Sequence, residues 1–183
     1  GSGKTTLITK LVQILKEKGF RPQGFYTEER RVNRERVGFD VVTLDGLKRG
    51  SLASVCSVRN TIKNKPMIGK YTVDIDEFEN IALPTLQFSS DVKDGSKSLL
   101  VVDEIGKMEL FSKKFESAVR ELFSGKNVVC AVLATIPTAK QRPLAIVEEI
   151  RNDKTVKVFQ VVTKANRDFI VDEICESIES CLK

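Results

Sequence analysis

The chain has 183 residues, which points to one domain with room for a small insertion and a core of useful size. Hydrophobic residues make up 41% and charged residues 30%, a globular balance, and no apolar run approaches a membrane span. There is no histidine and no CxxC among the four cysteines, which excludes histidine-based acid–base or triad chemistry and argues against zinc, while the net charge of +5 is scattered and reads as a solvated surface rather than a nucleic-acid patch.

The opening GSGKTT precedes Leu7, Ile8, Leu11, Val12 and Leu15, a helical spacing that Gly19 ends. Gly24 to Thr27 and Val37 to Leu44 are β-rich runs around a charged stretch, Glu28 to Arg36, and predict a hairpin or two neighbouring strands. Residues 46–70 are rich in Ser, Asn, Lys and Gly and predict an irregular excursion with one short strand. Tyr71 to Ile75 reads as a strand, and Asp76 to Gln87 as a helix with Asp76 as its cap and Pro84 near its end. After a polar loop, Ser89 to Lys97, the run Leu99 to Val102 is apolar on both faces, as in a buried parallel strand. Phe111, Phe115, Ala118, Val119 and Leu122 give a helix face that Gly125 ends. Val128 to Ala134 predicts a second buried strand, in which Cys130 reads as core, and Leu144 to Ile150 a helix. Val156 to Val162 predicts a third strand, and Phe169 to Leu182 a last amphipathic helix. Buried strands alternating with helices indicate an α/β domain with a mostly parallel sheet.

Gly3-Lys4-Thr5 matches the end of the phosphate-loop pattern GxxxxGK[ST], with Gly1 as an extra glycine. A helix follows at once, so its free N–H groups and positive end face the loop. Lys4 would then reach the β- and γ-phosphates, and the Thr5 hydroxyl would ligate Mg²⁺. The run Leu99 to Val102 ends in Asp103-Glu104, the Walker B arrangement: Asp103 serves Mg²⁺ at the carboxyl end of a strand, and Glu104 is placed to deprotonate an attacking water. Thr135, at the next strand end, either touches γ-phosphate or water or is an ordinary strand-to-loop residue. Thr163 to Asp168 is similar to the base-binding loops of other phosphate-loop proteins, with the Lys164 stem against the base, and Asn166 reads equally as a helix cap. Arg142 and Arg151 flank a short helix; each is either a charge-stabilising arginine or a partner of Glu148 or Glu149.

Four segments taken together resemble the cancer-related nucleoside-triphosphatase family: Gly24 to Glu29, Val37 to Leu44, Val102 to Phe111 (VDEIGKMELF) and Pro143 to Asn152. The resemblance covers nearly the whole chain. It implies a Mg²⁺-dependent hydrolase of nucleoside triphosphates with broad base tolerance. It also implies a P-loop fold of three layers, in the class with an added strand and a catalytic glutamate. Carried over by position, Gly1, Ser2, Gly3, Lys4, Thr5 and Thr6 end the nucleotide loop. Leu100, Val101, Val102, Asp103, Glu104, Ile105, Gly106 and Lys107 form a second nucleotide-contacting segment. Lys107 serves either the phosphates or a structural salt bridge.

Members of that family begin with a strand and the front half of the loop, neither of which precedes Gly1 here. A central strand of about 5–6 residues buries about five apolar side chains at roughly 1.5–3 kcal/mol each, comparable with the net stability of a whole domain. The chain is therefore expected to be a fragment of a longer gene product. The function expected is hydrolysis of nucleoside triphosphates by a monomer of the cell interior, in the cytoplasm, with Lys4 and Glu104 catalytic, Thr5 and Asp103 on Mg²⁺, and no membrane or nucleic-acid partner. A nucleotide or small-molecule kinase on the same core, with an acceptor pocket in residues 46–70, and a nucleotide-dependent switch or nucleic-acid-binding module are the alternatives.

Overall fold

The computed structural model describes residues 3–55, 64–87, 97–125, 130–138, 142–160, 163 and 165–181. In these the chain runs α1 (Lys4–Glu17), β1 (Phe20–Val32), β2 (Glu35–Thr43), β3 (Arg49–Val55), β4 (Met67–Ile68), β5 (Tyr71–Val73), α2 (Ile75–Ala82), β6 (Lys97–Val102), α3 (Lys113–Leu122), β7 (Cys130–Ala134), α4 (Ala145–Asn152) and α5 (Arg167–Cys181). One sheet contains all seven strands in the order β4-β5-β3-β2-β1-β6-β7. It is mixed: β1, β6 and β7 pair in parallel, whereas β2, β3, β4 and β5 join by antiparallel pairing. The expected parallel arrangement thus occupies one side, and the hairpin and the polar stretch after it supply an antiparallel wing.

β6 shows how the layers arise. Side chains alternate across a strand, and both faces here are apolar. Leu100 and Val102 enter a core with Phe25, Phe78, Phe115, Ile146 and Ile150 under α2, α3 and α4. Leu99 and Val101 enter a second core with Leu7, Leu11, Leu15, Ile170 and Ile174 under α1 and α5. Helices therefore cover both faces of the parallel strands, giving three layers. In the first core Phe25, Phe78 and Phe115 meet edge-to-face, with ring centroids 5.2–5.8 Å apart.

Several boundaries differ from the sequence expectations. The hairpin strands extend to Phe20–Val32 and Glu35–Thr43, with a turn at Asn33 and Arg34. The polar stretch 46–70 holds β3, stitched between β2 and β5, as well as the short β4; residues 56–63 lie outside the described residues. Asp74 rather than Asp76 precedes α2, and its carboxylate is committed to the Ser51 hydroxyl at 2.6 Å and to Lys65 at 2.6 Å. Pro84 falls in a 3₁₀ turn, Leu83–Leu86, that continues α2. Val156 to Gln160 are not a strand: among the described residues no strand of the sheet pairs with them, and alternating apolar residues alone cannot satisfy a strand's backbone groups. Val161 and Val162 lie outside the described residues, as do Val128 and Val129 at the start of the expected β7 and Leu182 at the end of α5.

Candidate active site

Of the three parallel strands, β6 and β7 end side by side, while β1 runs on past them to Val32. β6 pairs with β1 up to Val102 opposite Phe25, and with β7 up to Val102 opposite Ala134. The ladder continues one step further, since the Asp103 N–H donates to Phe25 O, the Thr135 N–H to Val102 O and the Ile105 N–H to Thr135 O. Asp103, Glu104 and Thr135 are thereby fixed at the carboxyl edge of the sheet, where open α/β folds bind ligands.

α1 approaches the same edge. Gly3 precedes its first residue with φ +80°, a left-handed conformation that glycine adopts without strain and that turns the chain directly into the helix. Lys4 and Thr5 in the first turn then meet the strand ends. Lys4 Nζ lies 2.6 Å from Glu104 Oε2 and donates to Ile136 O at 3.3 Å. Thr5 Oγ1 donates to Asp103 Oδ2 at 2.9 Å, and Thr135 Oγ1 to Asp103 Oδ1 at 2.6 Å.

The environments of the two adjacent carboxylates differ. Asp103 is 2% exposed; burial pushes its pKa up, the Thr135 and Thr5 hydroxyls oppose that, Glu104 adds to it and Lys4 opposes it. A buried carboxylate held by two hydroxyl donors, with the Thr5 hydroxyl against one oxygen, is an all-oxygen donor set suited to a hard divalent cation that completes its shell from phosphates and water. No group of three His, Cys, Asp or Glu residues that could hold a metal alone occurs among the described residues. The Glu104 side chain is 29% exposed, so water reaches it.

The structure brings together Lys4, Thr5, Asp103, Glu104 and Thr135. Gly1 and Ser2 lie outside the described residues, and Thr6 is exposed. Leu100, Val101, Val102 and Ile105 are fully buried core residues, so their part is to place the strand and its end. Lys107 is exposed, and no ion pair of Lys107 occurs among the described residues. Arg151 donates from Nη2 to Pro137 O at 2.6 Å and from Nε to Glu148 at 3.3 Å, the salt bridge its sequence position allowed. Asn166 accepts from the Thr163 N–H at 2.8 Å immediately before α5; Lys164 lies outside the described residues.

Three features escaped sequence reasoning: the burial of Glu109, and the neighbours of Gly106 and Arg167, both of which fall in segments already expected to contact nucleotide. Glu109 is 5% exposed beneath Glu104; burial pushes its carboxyl up to about 8, against the pull of its own N–H, and the Glu104 and Asp103 charges push the same way. An acidic residue inside the apolar run Met108 to Phe111 was the available signal. Gly106 lies between the two side chains: a Cβ there would come within 2.5 Å of Glu104 Oε1 and 2.8 Å of Glu109 Oε2. Arg167, at the start of α5, brings Nη1 to 3.7 Å from the Cβ position of Gly3, a neighbour that no local pattern indicates.

Comparison with known proteins identifies the family. The model of a family described as NTPase matches residues 1–175. A cancer-related nucleoside-triphosphatase homolog of Bos taurus is 48% identical over 183 residues, covering 100% of this chain and 94% of the relative. The solution structure of a human cancer-related nucleoside triphosphatase superposes with a TM-score of 0.82 at 47% identity, over 98% of this chain and 93% of that one. The crystal structure of THEP1 from the hyperthermophile Aquifex aeolicus gives a TM-score of 0.75 at 35% identity, over 98% and 94% of the two chains. Matched over nearly its whole length in both sequence and fold, the chain belongs to the nucleoside-triphosphatase (NTPase) family.

Proposed function

We propose that this chain hydrolyses nucleoside 5′-triphosphates to the diphosphate and orthophosphate, with Mg²⁺ at Thr5 and Asp103 and Glu104 as the general base. The observation that carries the reading is the 2.6 Å contact of Lys4 Nζ with Glu104 Oε2, which puts a phosphate-binding cation and a water-accessible carboxylate at one point. The first-turn N–H groups of α1 face the same point, where an anionic phosphate chain is favoured.

In this reading Lys4 turns from Glu104 to the β- and γ-phosphates and balances their charge. Glu104 accepts a proton from a water molecule as the water oxygen bonds to the γ-phosphorus. The bond from that phosphorus to the bridging oxygen breaks, and its electrons leave with the diphosphate. Thr135 holds Asp103 in place from the neighbouring strand end. Thr5 and Asp103 would hold Mg²⁺, which would supply positive charge against the phosphate chain. The thiols of Cys175 and Cys181 suit a reducing intracellular compartment. No helix among the described residues is long and apolar enough to cross a membrane.

The test is Glu104→Gln, which keeps the shape and removes the base. It should bind nucleotide normally and release phosphate about 10²–10⁴-fold more slowly. Undiminished phosphate release rejects the assignment.

A further inference from the structure

Beyond the site edge, where the segments after Glu104 and after Thr135 come together, lies a cavity of about 80 Å³. Its lining joins the two segments that carry the chemistry: Lys107 follows Glu104 by three residues, and Pro137 follows Thr135 by two. Arg142 and Arg151 complete the basic side of the wall, against one carboxylate, Glu148, which is already paired with Arg151. Neither Lys107 nor Arg142 has an ion-pair partner among the described residues. Leu144 and Val147 give the cavity an apolar floor from the start of α4, which weakens competition from water.

We propose that this cavity is a binding subsite for orthophosphate, the product of hydrolysis, distinct from the γ-phosphate position. The proposal rests on the hydrolytic reading above. Several arguments fit a tetrahedral oxyanion. The volume accommodates several waters and hence an ion of that size. Three cations against one paired carboxylate leave the wall positive. Arginine presents five N–H donors in a planar fork matched to phosphate oxygens, and only two of those of Arg151 are committed, to Pro137 and Glu148. These two bonds also fix the guanidinium: Pro137 O holds it beside the residue whose neighbour, Ile136, accepts from Lys4. Orthophosphate released at Glu104 thus has a short path along Ile136 and Pro137 into the cavity. The diphosphate stays behind on the loop, so the two products separate without exchanging places.

The experiment titrates inorganic phosphate into the protein saturated with Mg²⁺ and a β,γ-imido nucleoside triphosphate, which fills the γ position. Binding is read by calorimetry. Phosphate is expected to bind saturably at one site, and Arg142→Gln to weaken it at least tenfold. Lys16→Gln, a charge change on the exposed face of α1, should leave the affinity unchanged. Absence of saturable binding with the γ position filled, or equal affinity in Arg142→Gln, overturns the proposal. Equal weakening by Lys16→Gln also overturns it, since net charge alone would then explain the effect. Nucleoside diphosphate formation is followed separately, on the same protein given Mg²⁺ and hydrolysable nucleoside triphosphate in place of the imido analogue. Diphosphate formed without a phosphate site sinks the subsite alone; no diphosphate formed sinks the hydrolytic reading as well.

Discussion

The parallel and antiparallel sides of the sheet solve the same problem differently, and β1 contains the change. Its first residues pair with β6 and bury Phe20 and Phe25, whereas Glu28 to Arg31 pair with β2 and carry charge. On the parallel side, helices cover both faces, every residue of β6 after Lys97 is buried, and β6 and β7 stop in register beside Phe25 of β1. On the antiparallel side Arg30 reaches Asp40 at 2.5 Å and Ser54 at 2.7 Å, and Arg49 bridges Asp40 and Glu28. Apolar packing gives the parallel side a fixed edge, and a fixed edge is what a multi-residue site needs. The ion-paired wing has no such edge and carries none of the residues that meet at Lys4.

The sharpest way to break this comparison is the aromatic cluster that supports the parallel edge. Phe115 is fully buried and meets both Phe25 and Phe78. Phe115→Ala removes a large side chain from a site with little room to collapse. It should lower unfolding stability by about 3–5 kcal/mol, read as a shift of the denaturant midpoint.

Thr135 probes the edge itself. Thr135→Val keeps the shape but takes a hydroxyl from a buried carboxylate. A hydrogen bond to a charged group is worth about 1.5–3 kcal/mol, so kcat/KM for nucleoside triphosphate should fall about 10–100-fold. An unchanged kcat/KM would mean that Asp103 does not need its neighbouring strand.

This contrast also explains what the sequence made legible. Leu99 to Glu104 announces its strand and its chemistry together, because a strand buried on both faces must be apolar throughout and Asp-Glu at its end is then conspicuous. The helix after Gly3-Lys4-Thr5 is equally plain from Leu7, Ile8, Leu11 and Leu15. β3 was hidden because its strand-forming residues are interleaved with Gly and Ser, small residues that pack closely without a hydrophobic signal: Gly50 lies against Glu77 and Ile81. Mixed pairing was hidden too, since β1 changes partner along its length without a break in its β character. Val156 to Gln160 misled in the opposite direction, having a strand's pattern without a strand beside it. Glu109 could not be placed because its burial comes from the turn around Gly106, not from any periodicity.

Glu109 tests the same edge through pH. Its folded pKa is raised to about 8 from the ordinary 4.5. The folded state therefore holds a proton that the unfolded chain loses between these values. The stability this supplies is complete below the ordinary value and is lost as pH rises through about 8. The slope approaches about 1.4 kcal/mol per pH unit inside that window. Glu109→Gln has no proton to lose, so its melting temperature relative to wild type should climb from pH 5 to pH 8 and then level off. A difference that stays flat with pH would show that Glu109 is ionised in the folded protein. The comparison is made without divalent cations, so that only the protein's own groups titrate.

The smallest effect is expected on the other side of the sheet. Arg30 holds Asp40 and Ser54, but its side chain is 38% exposed, so water and salt compete for every contact. Such pairs contribute about 0–1 kcal/mol, far less than the aromatic cluster. Arg30→Ala should shift the denaturant midpoint slightly, the shift should shrink in high salt, and phosphate release should stay at the wild-type rate. Loss of activity in this variant would break the comparison, because it would mean that the wing transmits its geometry to the edge. Among the described residues β1 is the only strand shared by the two sides, and Tyr26 to Glu29 lie between Arg30 and Phe25, the residue opposite the end of β6. The backbone ladder at Phe25 is anchored by the buried ring of that residue and not by the charges beyond it, which is why the wing can loosen while the site stays in register.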